Sequence, residues 1–264
     1  LVEMLPQYER LDSSNVIFRI RFGVYGLAIC TIPFFAFVFC VGFSLFSYFE
    51  RATATHCNVR NYLPSISAAI GNYQPQRFVW QLAILIQVIP RLAVTYQYYR
   101  LYDVILRKNR RPIAYTACIF NVVENLALVG LSLWTSIDNY EVHKTCFITF
   151  IATSECYMCM TYFLNKSSLR NPGKLTRTQQ ISLNLKRNLC VINVVSFFCA
   201  GYFFLRHNDR CEPGVYTLFA LFEYVVVLTN MGFHLTSVYD FRDKWLIFDK
   251  AKGLYFTSTY STLI

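Results

Sequence analysis

Six apolar runs, each long enough to cross a lipid bilayer, dominate the pattern of hydrophobic and polar positions. A hydrocarbon core of roughly 30 Å requires about 20 residues of helix. The runs lie at about 23–48, 78–99, 113–135, 144–164, 188–205 and 214–237. The pattern predicts an all-α fold, a polytopic bundle of six transmembrane helices, with the whole chain 1–264 forming a single integral membrane domain.

Basic residues are concentrated in alternate connections between these runs. The amino-terminal segment, the second and fourth connections and the carboxyl-terminal tail hold eighteen of the 25 Lys and Arg residues, and the other loops hold six. Short loops rich in Lys and Arg stay in the cytoplasm. Both termini are therefore predicted in the cytoplasm, with the loops at about 49–77, 136–143 and 206–213 facing the lumen or exterior. The first of these loops mixes apolar and hydrogen-bonding residues, so we expect it to form a structured lumenal cap.

Composition agrees with a membrane protein and excludes an ordinary soluble domain. Hydrophobic residues make up 55% of the chain, aromatic residues 17% and charged residues 15%. The net charge of +10 follows from the cytoplasmic loops, so we predict contact with membrane lipids and no nucleic-acid partner.

Two of the ten cysteines lie in predicted lumenal loops, whereas most of the others lie in or beside the spans. Cys57 follows the first predicted span, and Cys211 precedes the sixth. Both lie on the predicted lumenal side, where disulfides form, so we predict a bridge between them. Free thiols at both positions are the alternative. Cys156 and Cys159 have CxxC spacing inside an apolar run without nearby partners, so no metal site is predicted.

The predicted disulfide would bring two lumenal histidines together. His56 precedes the first bridged cysteine, and His207 with Asn208 precedes the second. We expect His56 and Tyr62 to face the lipid headgroup layer. The two imidazoles would bind a phosphate-bearing headgroup, ligate a metal or carry acid–base chemistry, or would only hydrogen-bond the cap.

A polar stripe runs along the last span. Glu223, Asn230 and His234 are separated by seven and four residues, which places them on one helical face. Such groups are costly in lipid and usually face a protein interior or a wet cavity. His234 lies toward the cytoplasmic end. The stripe is predicted to form the inner wall of a bundle that accommodates lipid.

Other spans carry polar side chains at similar depth. These are Arg91 in the second span, Asn121, Glu124 and Asn125 in the third, and Glu155 in the fourth. We expect Arg91 to pair with Glu124 or Glu223, because an ion pair lowers the cost of burying both charges. At least one carboxylate is then left to accept a proton or to bond a buried ester or hydroxyl. A polar network that only fixes helix register is the alternative.

Several strings resemble a known family. The strings that carry the resemblance occur in the expected order and at similar separations. They are ATATHC, NYLPSISAAIG, PQRFVW, NVVENLAL, RHN followed by CEPGVYT, and FEYVVVLTNMGFH. Between about Arg19 and Asp240 the chain resembles the Frag/DRAM/Sfk family of multispan proteins, in the branch that acts after glycosylphosphatidylinositol (GPI) attachment.

The resemblance implies a multi-pass Golgi membrane protein, with the endoplasmic reticulum as a second location. It implies fatty-acid remodelling of GPI anchors, at the step that reacylates the lyso-anchor with a saturated fatty acid. The implied partners are GPI-anchored proteins, membrane lipids and a remodelling enzyme. No cofactor is predicted, and an acyl donor, phospholipid or acyl-CoA, would be the co-substrate.

Two hypotheses of different class follow. In the first, the protein is an acyltransferase or transacylase in which His56 or His207 acts as base and Glu223 or Glu124 as its partner. In the second, it is a noncatalytic lipid-binding factor that presents substrate to a separate acyltransferase. A small channel or lipid transporter is a third, less favoured reading. The predicted substrate-binding residues are Arg91, Tyr62, Asn121, Asn125, Asn208, Asn230 and His234.

The sequence lacks the common acyltransferase signatures. Neither His56 nor His207 is followed five residues later by Asp, and no Gly-x-Ser-x-Gly motif occurs. A transferase built on this chain would therefore use a different arrangement of catalytic groups.

Overall fold

The computed structural model describes residues 15–71, 73–168 and 176–258. In chain order the elements are β1 (Val16–Arg21), α1 (Phe22–Ser47), α2 (Phe49–Ala52), α3 (Ile66–Gly71), α4 (Gln76–Ile105), a 3₁₀ turn (Lys108–Arg110), α5 (Arg111–Leu133), α6 (Tyr140–Ser168), α7 (Arg177–Arg210), α8 (Val215–Leu235), α9 (Ser237–Asp240), β2 (Lys244–Asp249) and β3 (Gly253–Ser258). Six helices, α1 and α4 to α8, are long and apolar enough to cross a membrane. The predicted six-helix bundle is confirmed.

Three of the helices, α4, α6 and α7, extend well past the apolar runs that predicted them. α4 has 30 residues and α7 has 34. At the start of α7, Thr176 Oγ1 accepts from the backbone N–H of Gln179, whose side chain accepts from the N–H of Thr176. This capping box stabilises a polar helical turn that hydropathy does not detect.

The two ends of the bundle differ. At one end, α1, α5 and α7 finish and α4, α6 and α8 begin. This end contains the bond between Cys57 and Cys211, and we call it the disulfide end. The opposite end carries a three-stranded antiparallel sheet in the order β1-β2-β3, and we call it the sheet end. The sequence analysis did not predict the sheet.

The sheet joins the beginning of the membrane domain to its end. Arg21 pairs with Trp245 across β1 and β2, and Leu246 pairs with Phe256 across β2 and β3. The guanidinium of Arg21 lies 5.2 Å from the ring centroid of Trp245, a cation–π contact. Phe22, directly after β1, is fully buried, so the sheet is packed onto the bundle.

Close helix approach depends on a small residue between α5 and α6. A Cβ atom added to Gly130 would lie 2.6 Å from Sγ of Cys146. Small residues at helix contacts in membranes allow the backbones to pack closely. Gly130 therefore sets the spacing of this helix pair.

The predicted disulfide between Cys57 and Cys211 is confirmed. Their Cα atoms lie 5.3 Å apart, and the bond spans 154 positions of sequence. It ties the segment after α2 to the end of α7.

Residues 53–71 and 73–75 fold against the disulfide end. Tyr224 donates from its hydroxyl to the carbonyl of Pro64 at 2.6 Å, and Ser44 Oγ donates to the carbonyl of Ala69 at 3.1 Å. The backbone N–H of Tyr62 donates to Thr217 Oγ1 at 2.8 Å. These bonds attach the segment to α1 and α8. Its lumenal location stays a prediction, as does the cytoplasmic location of the termini, which lie outside the described residues.

The predicted orientation can be tested with epitope tags at the two termini. Digitonin opens the plasma membrane of cells and leaves internal membranes sealed. We expect an antibody to reach both tags under these conditions, because the basic connections retain the sheet end in the cytoplasm. An antibody to a lumenal protein serves as control and should bind only after full detergent permeabilisation. Terminal tags that behave like that lumenal control would contradict the orientation.

Loss of the disulfide should lower stability. Removing a native disulfide typically costs about 2–5 kcal/mol, so Cys57→Ser should lower the temperature at which the detergent-solubilised protein aggregates by several degrees. Dithiothreitol should lower it in the wild type and not further in the variant. Cys199→Ser, at a free cysteine, is the matched control. Equal aggregation temperatures for Cys57→Ser and the wild type would contradict a stabilising role of the disulfide.

Candidate functional site

A cavity of about 220 Å³ lies inside the bundle and is bordered mainly by aliphatic and aromatic side chains. Trp80, Phe147 and Phe204, from three different helices, form part of its wall. An apolar cavity of roughly 150 Å³ remains dry and takes up apolar ligands. The polar residues of the lining are Ser67, Gln87, Arg91, His143, Glu223 and Asn230.

A serine and a histidine meet at this lining. Ser67 Oγ lies 3.0 Å from Nε2 of His143. Nδ1 of His143 lies 2.9 Å from the carbonyl oxygen of Trp134, and a carbonyl only accepts. In the neutral imidazole, Nδ1 therefore carries the proton and Nε2 accepts from the Ser67 hydroxyl. His143 is buried and Ser67 is partly exposed.

The pair was missed because its members come from segments 76 positions apart. The sequence placed His143 in a predicted loop, 136–143, and began the fourth span at 144. The structure starts α6 at Tyr140, so His143 lies in its first turn. A histidine at the boundary of an apolar run is the signal that was available.

The connection before α6 is fixed by an ion pair. Arg77 donates to both carboxylate oxygens of Asp138, and Thr135 Oγ1 donates to Asp138 Oδ2 at 3.0 Å. The hydrogen bond from Arg77 lowers the pKa of Asp138. These contacts hold the chain between Trp134, which orients the imidazole, and the start of α6.

Glu223 holds the helix that carries the serine. Its Oε2 accepts from the backbone N–H of Ile66 at 2.9 Å, and the Ser65 hydroxyl accepts from the N–H of Ala68 at 3.2 Å. Among the ion pairs of the described residues, none includes Glu223. This carboxyl group therefore lines the cavity and fixes α3 through the peptide backbone.

Arg91 pairs with Glu124, which resolves the two predicted pairings. Nη2 of Arg91 lies 2.9 Å from Oε1 of Glu124, whose side chain is fully buried. Asn230 donates to the same oxygen at 3.0 Å and to Ser154 Oγ at 2.6 Å. The cluster connects α4, α5, α6 and α8.

His234 belongs to this cluster as well. Its Nε2 lies 2.9 Å from Glu124 Oε1 and 2.6 Å from Arg91 Nη2. The ring stacks against Tyr157 at 5.4 Å. Asn230 and His234 of the polar stripe therefore both reach Glu124 across the helix interface.

His56 and His207 are neighbours, as expected from the disulfide. Their ring centroids are 5.6 Å apart, and Nε2 of His207 lies 3.1 Å from Thr55 Oγ1. His56 is exposed and His207 is fully buried. Neither lines the cavity. In the described part of the chain, no hydrogen bond or ion pair joins either imidazole to Glu124 or Glu223, so the predicted base–carboxylate pairing is not formed in this structure.

The other predicted site residues also lie away from the cavity lining. Tyr62 and Asn208 are exposed at the disulfide end. Asn125 donates to Asn121 Oδ1 at 2.9 Å, and both are buried. Glu155 is partly buried, and its two carboxylate oxygens have no hydrogen-bond partner among the described residues. Substrate contact by these residues remains a prediction.

Metal-ligating side chains form one cluster in the described ranges. It consists of His56, Cys57 and Cys211. Both sulfur atoms are used in the disulfide, which removes the thiolates that a metal would need.

Six spans around an apolar cavity with a few convergent polar groups define a polytopic membrane protein with a candidate ligand site. A model of the Frag1/DRAM/Sfk1/Cwh43P N-terminal domain matches residues 21–244. The chain belongs to this family, as the sequence resemblance indicated.

Individual relatives cover almost the whole chain. It is 53% identical over 255 residues to Post-GPI attachment to proteins factor 2 of Drosophila pseudoobscura pseudoobscura, with 96% of this chain and 99% of that protein covered. It is 39% identical over 236 residues to Acyltransferase PGAP2 of Xenopus tropicalis, with 89% and 93% covered. No solved structure matches the chain.

The buried ion pair predicts a specific stability pattern. Breaking a buried pair by removing one partner costs about 3–5 kcal/mol, whereas replacing both by apolar groups is often neutral. Arg91→Met should therefore strongly lower the melting temperature of the detergent-solubilised protein, and Arg91→Met combined with Glu124→Met should recover much of it. Arg100→Met, at an exposed position of the same helix, controls for loss of positive charge. A double variant less stable than Arg91→Met would be inconsistent with this pairing.

Proposed function

We propose that the protein acts in GPI-anchor lipid remodelling in the Golgi, where it transfers a saturated fatty acid to the lyso-form of the anchor. The observation that carries the proposal is the apolar cavity with its few polar groups. Apolar walls accommodate a hydrocarbon chain, and Ser67, His143 and Glu223 supply donors and acceptors for the ester at its end.

The position of these polar groups suits an ester substrate. His143 lies in the first turn of α6, and Ser67 lies in α3 beside the disulfide end. Lipid esters occur where the hydrocarbon chains meet the headgroups. With the predicted orientation, this level belongs to the lumenal leaflet, in which a GPI-anchored protein holds its acyl chains.

The names of the relatives support the same reaction class. The fly relative is named for a step after GPI attachment to proteins, and the frog relative is named an acyltransferase. A chain 39% identical to the frog protein over most of both lengths is expected to share its general chemistry.

The exposed disulfide end offers contacts for the polar part of the substrate. His56, Arg60 and Tyr62 are exposed there, and the guanidinium of Arg60 lies 5.3 Å from the Tyr62 ring centroid. A cation and an imidazole bind phosphate. We assign His56 to headgroup recognition, because it lies outside the cavity that would hold the ester.

A noncatalytic lipid-binding factor is the second candidate. The same cavity would hold an acyl chain in a protein that presents lipid to a separate enzyme. Purified protein, given a lyso-GPI acceptor and phosphatidylcholine with isotope-labelled stearoyl chains, distinguishes the two. We expect labelled diacyl anchor to form. Binding of the labelled lipid without any transfer would reject the enzyme and favour the presenting factor.

Filling the cavity should impair function. Gly201 lines the cavity, and a Cβ atom at this position would meet nothing within 4 Å. Gly201→Leu is therefore expected to occupy space needed by the acyl chain and to reduce lipid binding and transfer at least about tenfold, a loss of 1.4 kcal/mol.

Gly42 provides the matched control for this variant. It lies on the exposed face of α1, is absent from the cavity lining, and also has open space around an added Cβ. Gly42→Leu should bind lipid like the wild type. Equal behaviour of the two variants would argue against the cavity as the lipid site.

A further inference from the structure

The geometry points to a covalent mechanism in which Ser67 is the nucleophile and His143 is its general base. This inference rests on the proposed acyl transfer and specifies how the reaction proceeds. The sequence analysis suggested His56 or His207 as the base and named neither Ser67 nor His143.

The hydrogen bonds define the role of each atom. Nδ1 of His143 donates to the Trp134 carbonyl at 2.9 Å, so Nε2 is an acceptor facing Ser67 Oγ at 3.0 Å. A serine whose hydroxyl donates to an oriented imidazole has the arrangement of an activated nucleophile. Here a backbone carbonyl orients the base, where hydrolases commonly use a carboxylate.

The surroundings restrict both groups to this geometry. Ser67 is held through α3, whose first N–H donates to Glu223 at 2.9 Å. The imidazole is held by α6 and by the connection that Arg77 and Asp138 fix. Ser67 and Glu223 each line the cavity, as does His143, so an acyl chain in the cavity would end beside the nucleophile.

The first half of the reaction forms an acyl-enzyme. Ser67 Oγ attacks the carbonyl carbon of a phospholipid acyl ester, and His143 Nε2 takes the hydroxyl proton. The bond between that carbonyl carbon and the glycerol oxygen breaks, and the proton passes from Nε2 to the glycerol oxygen. The products are an ester at Ser67 and a lysophospholipid.

The second half reverses these steps with a different alcohol. The free hydroxyl of the lyso-anchor attacks the Ser67 ester while Nε2 takes its proton. The serine oxygen leaves and recovers that proton from Nε2. The net reaction moves one acyl group between two alcohols and needs no oxidant, reductant or water.

The test is detection of the acyl-enzyme in the purified full chain. With phosphatidylcholine carrying deuterated stearoyl chains and no acceptor, we expect the peptide containing Ser67 to gain one deuterated stearoyl group. A fluorophosphonate probe should label the same serine in the wild type. This measurement tests the nucleophile without any substitution. Addition of a lyso-GPI acceptor should remove the label and form the diacyl anchor.

Three variants assign the roles. Ser67→Ala should abolish both the adduct and transfer. His143→Gln should slow acylation at least about 100-fold, as expected for loss of a general base. Ser47→Ala, at the exposed last residue of α1 and outside the cavity lining, is the matched serine control and should acylate normally. Thermal melting of each variant shows whether it is folded.

The outcomes separate this inference from the proposed function. The wild type and Ser67→Ala could transfer the acyl group at similar rates, with no adduct and no probe labelling. That result would overturn the covalent mechanism and leave the acyltransferase function intact. An adduct at Ser67 without transfer to the lyso-anchor would support the catalytic pair and reject the proposed acceptor. Neither adduct nor transfer, in protein that binds the labelled lipid, would overturn both.

Discussion

The ion pair between Arg91 and Glu124 is the interaction on which the interior of the bundle depends. A charge in hydrocarbon is costly unless it is paired, and these two groups lie at the contact of α4 with α5. Asn230 donates to the same Glu124 oxygen and extends the network to α8. Arg91 pairs with Glu124, and no ion pair of the described residues includes Glu223. Glu223 instead accepts a hydrogen bond from the backbone N–H of Ile66 in α3. The placement of Ser67 thus follows from how the buried charges are paired.

The cavity lies within a frame that is fixed at both ends. At the disulfide end, the bond between Cys57 and Cys211 joins two distant connections. At the sheet end, the buried amine of Lys186 lies 2.7 Å from Asp240, which also accepts from the hydroxyl of Tyr98 at 2.6 Å. Together these attachments join the spans at both ends of the bundle. A packed interior normally excludes such volume, so its retention fits a site that receives a ligand.

Hydropathy and charge predicted the six spans, since the cost of exposing polar backbone and side chains in lipid acts on every residue of a span. The disulfide was predictable because only two cysteines, Cys57 and Cys211, lie in loops on the predicted lumenal side. The sheet was not predicted, because its strands are six residues each and pair positions as distant as Arg21 and Trp245. Short strands whose partners lie at opposite ends of a chain leave little local signal.

The site was predicted only in part for a similar reason. Arg91, Glu124, Glu223 and Asn230 were recognisable because a charged or amide group is rare in a span. Ser67 and His143 were not, since serine is common in loops and the histidine fell just outside an apolar run. Only the fold shows that Ser67 in α3 meets His143 in α6.

Photo-crosslinking tests whether the cavity holds the acyl chain of the substrate lipid. The purified protein is irradiated with phosphatidylcholine that carries a diazirine at the middle of one acyl chain, and the labelled residues are identified by mass spectrometry. If the cavity holds this chain, we expect adducts on cavity residues such as Phe147, Phe204 and Met231, which lie on three helices. Adducts confined to lipid-facing side chains such as Phe35 and Phe198, which are 65% and 68% exposed, would contradict it.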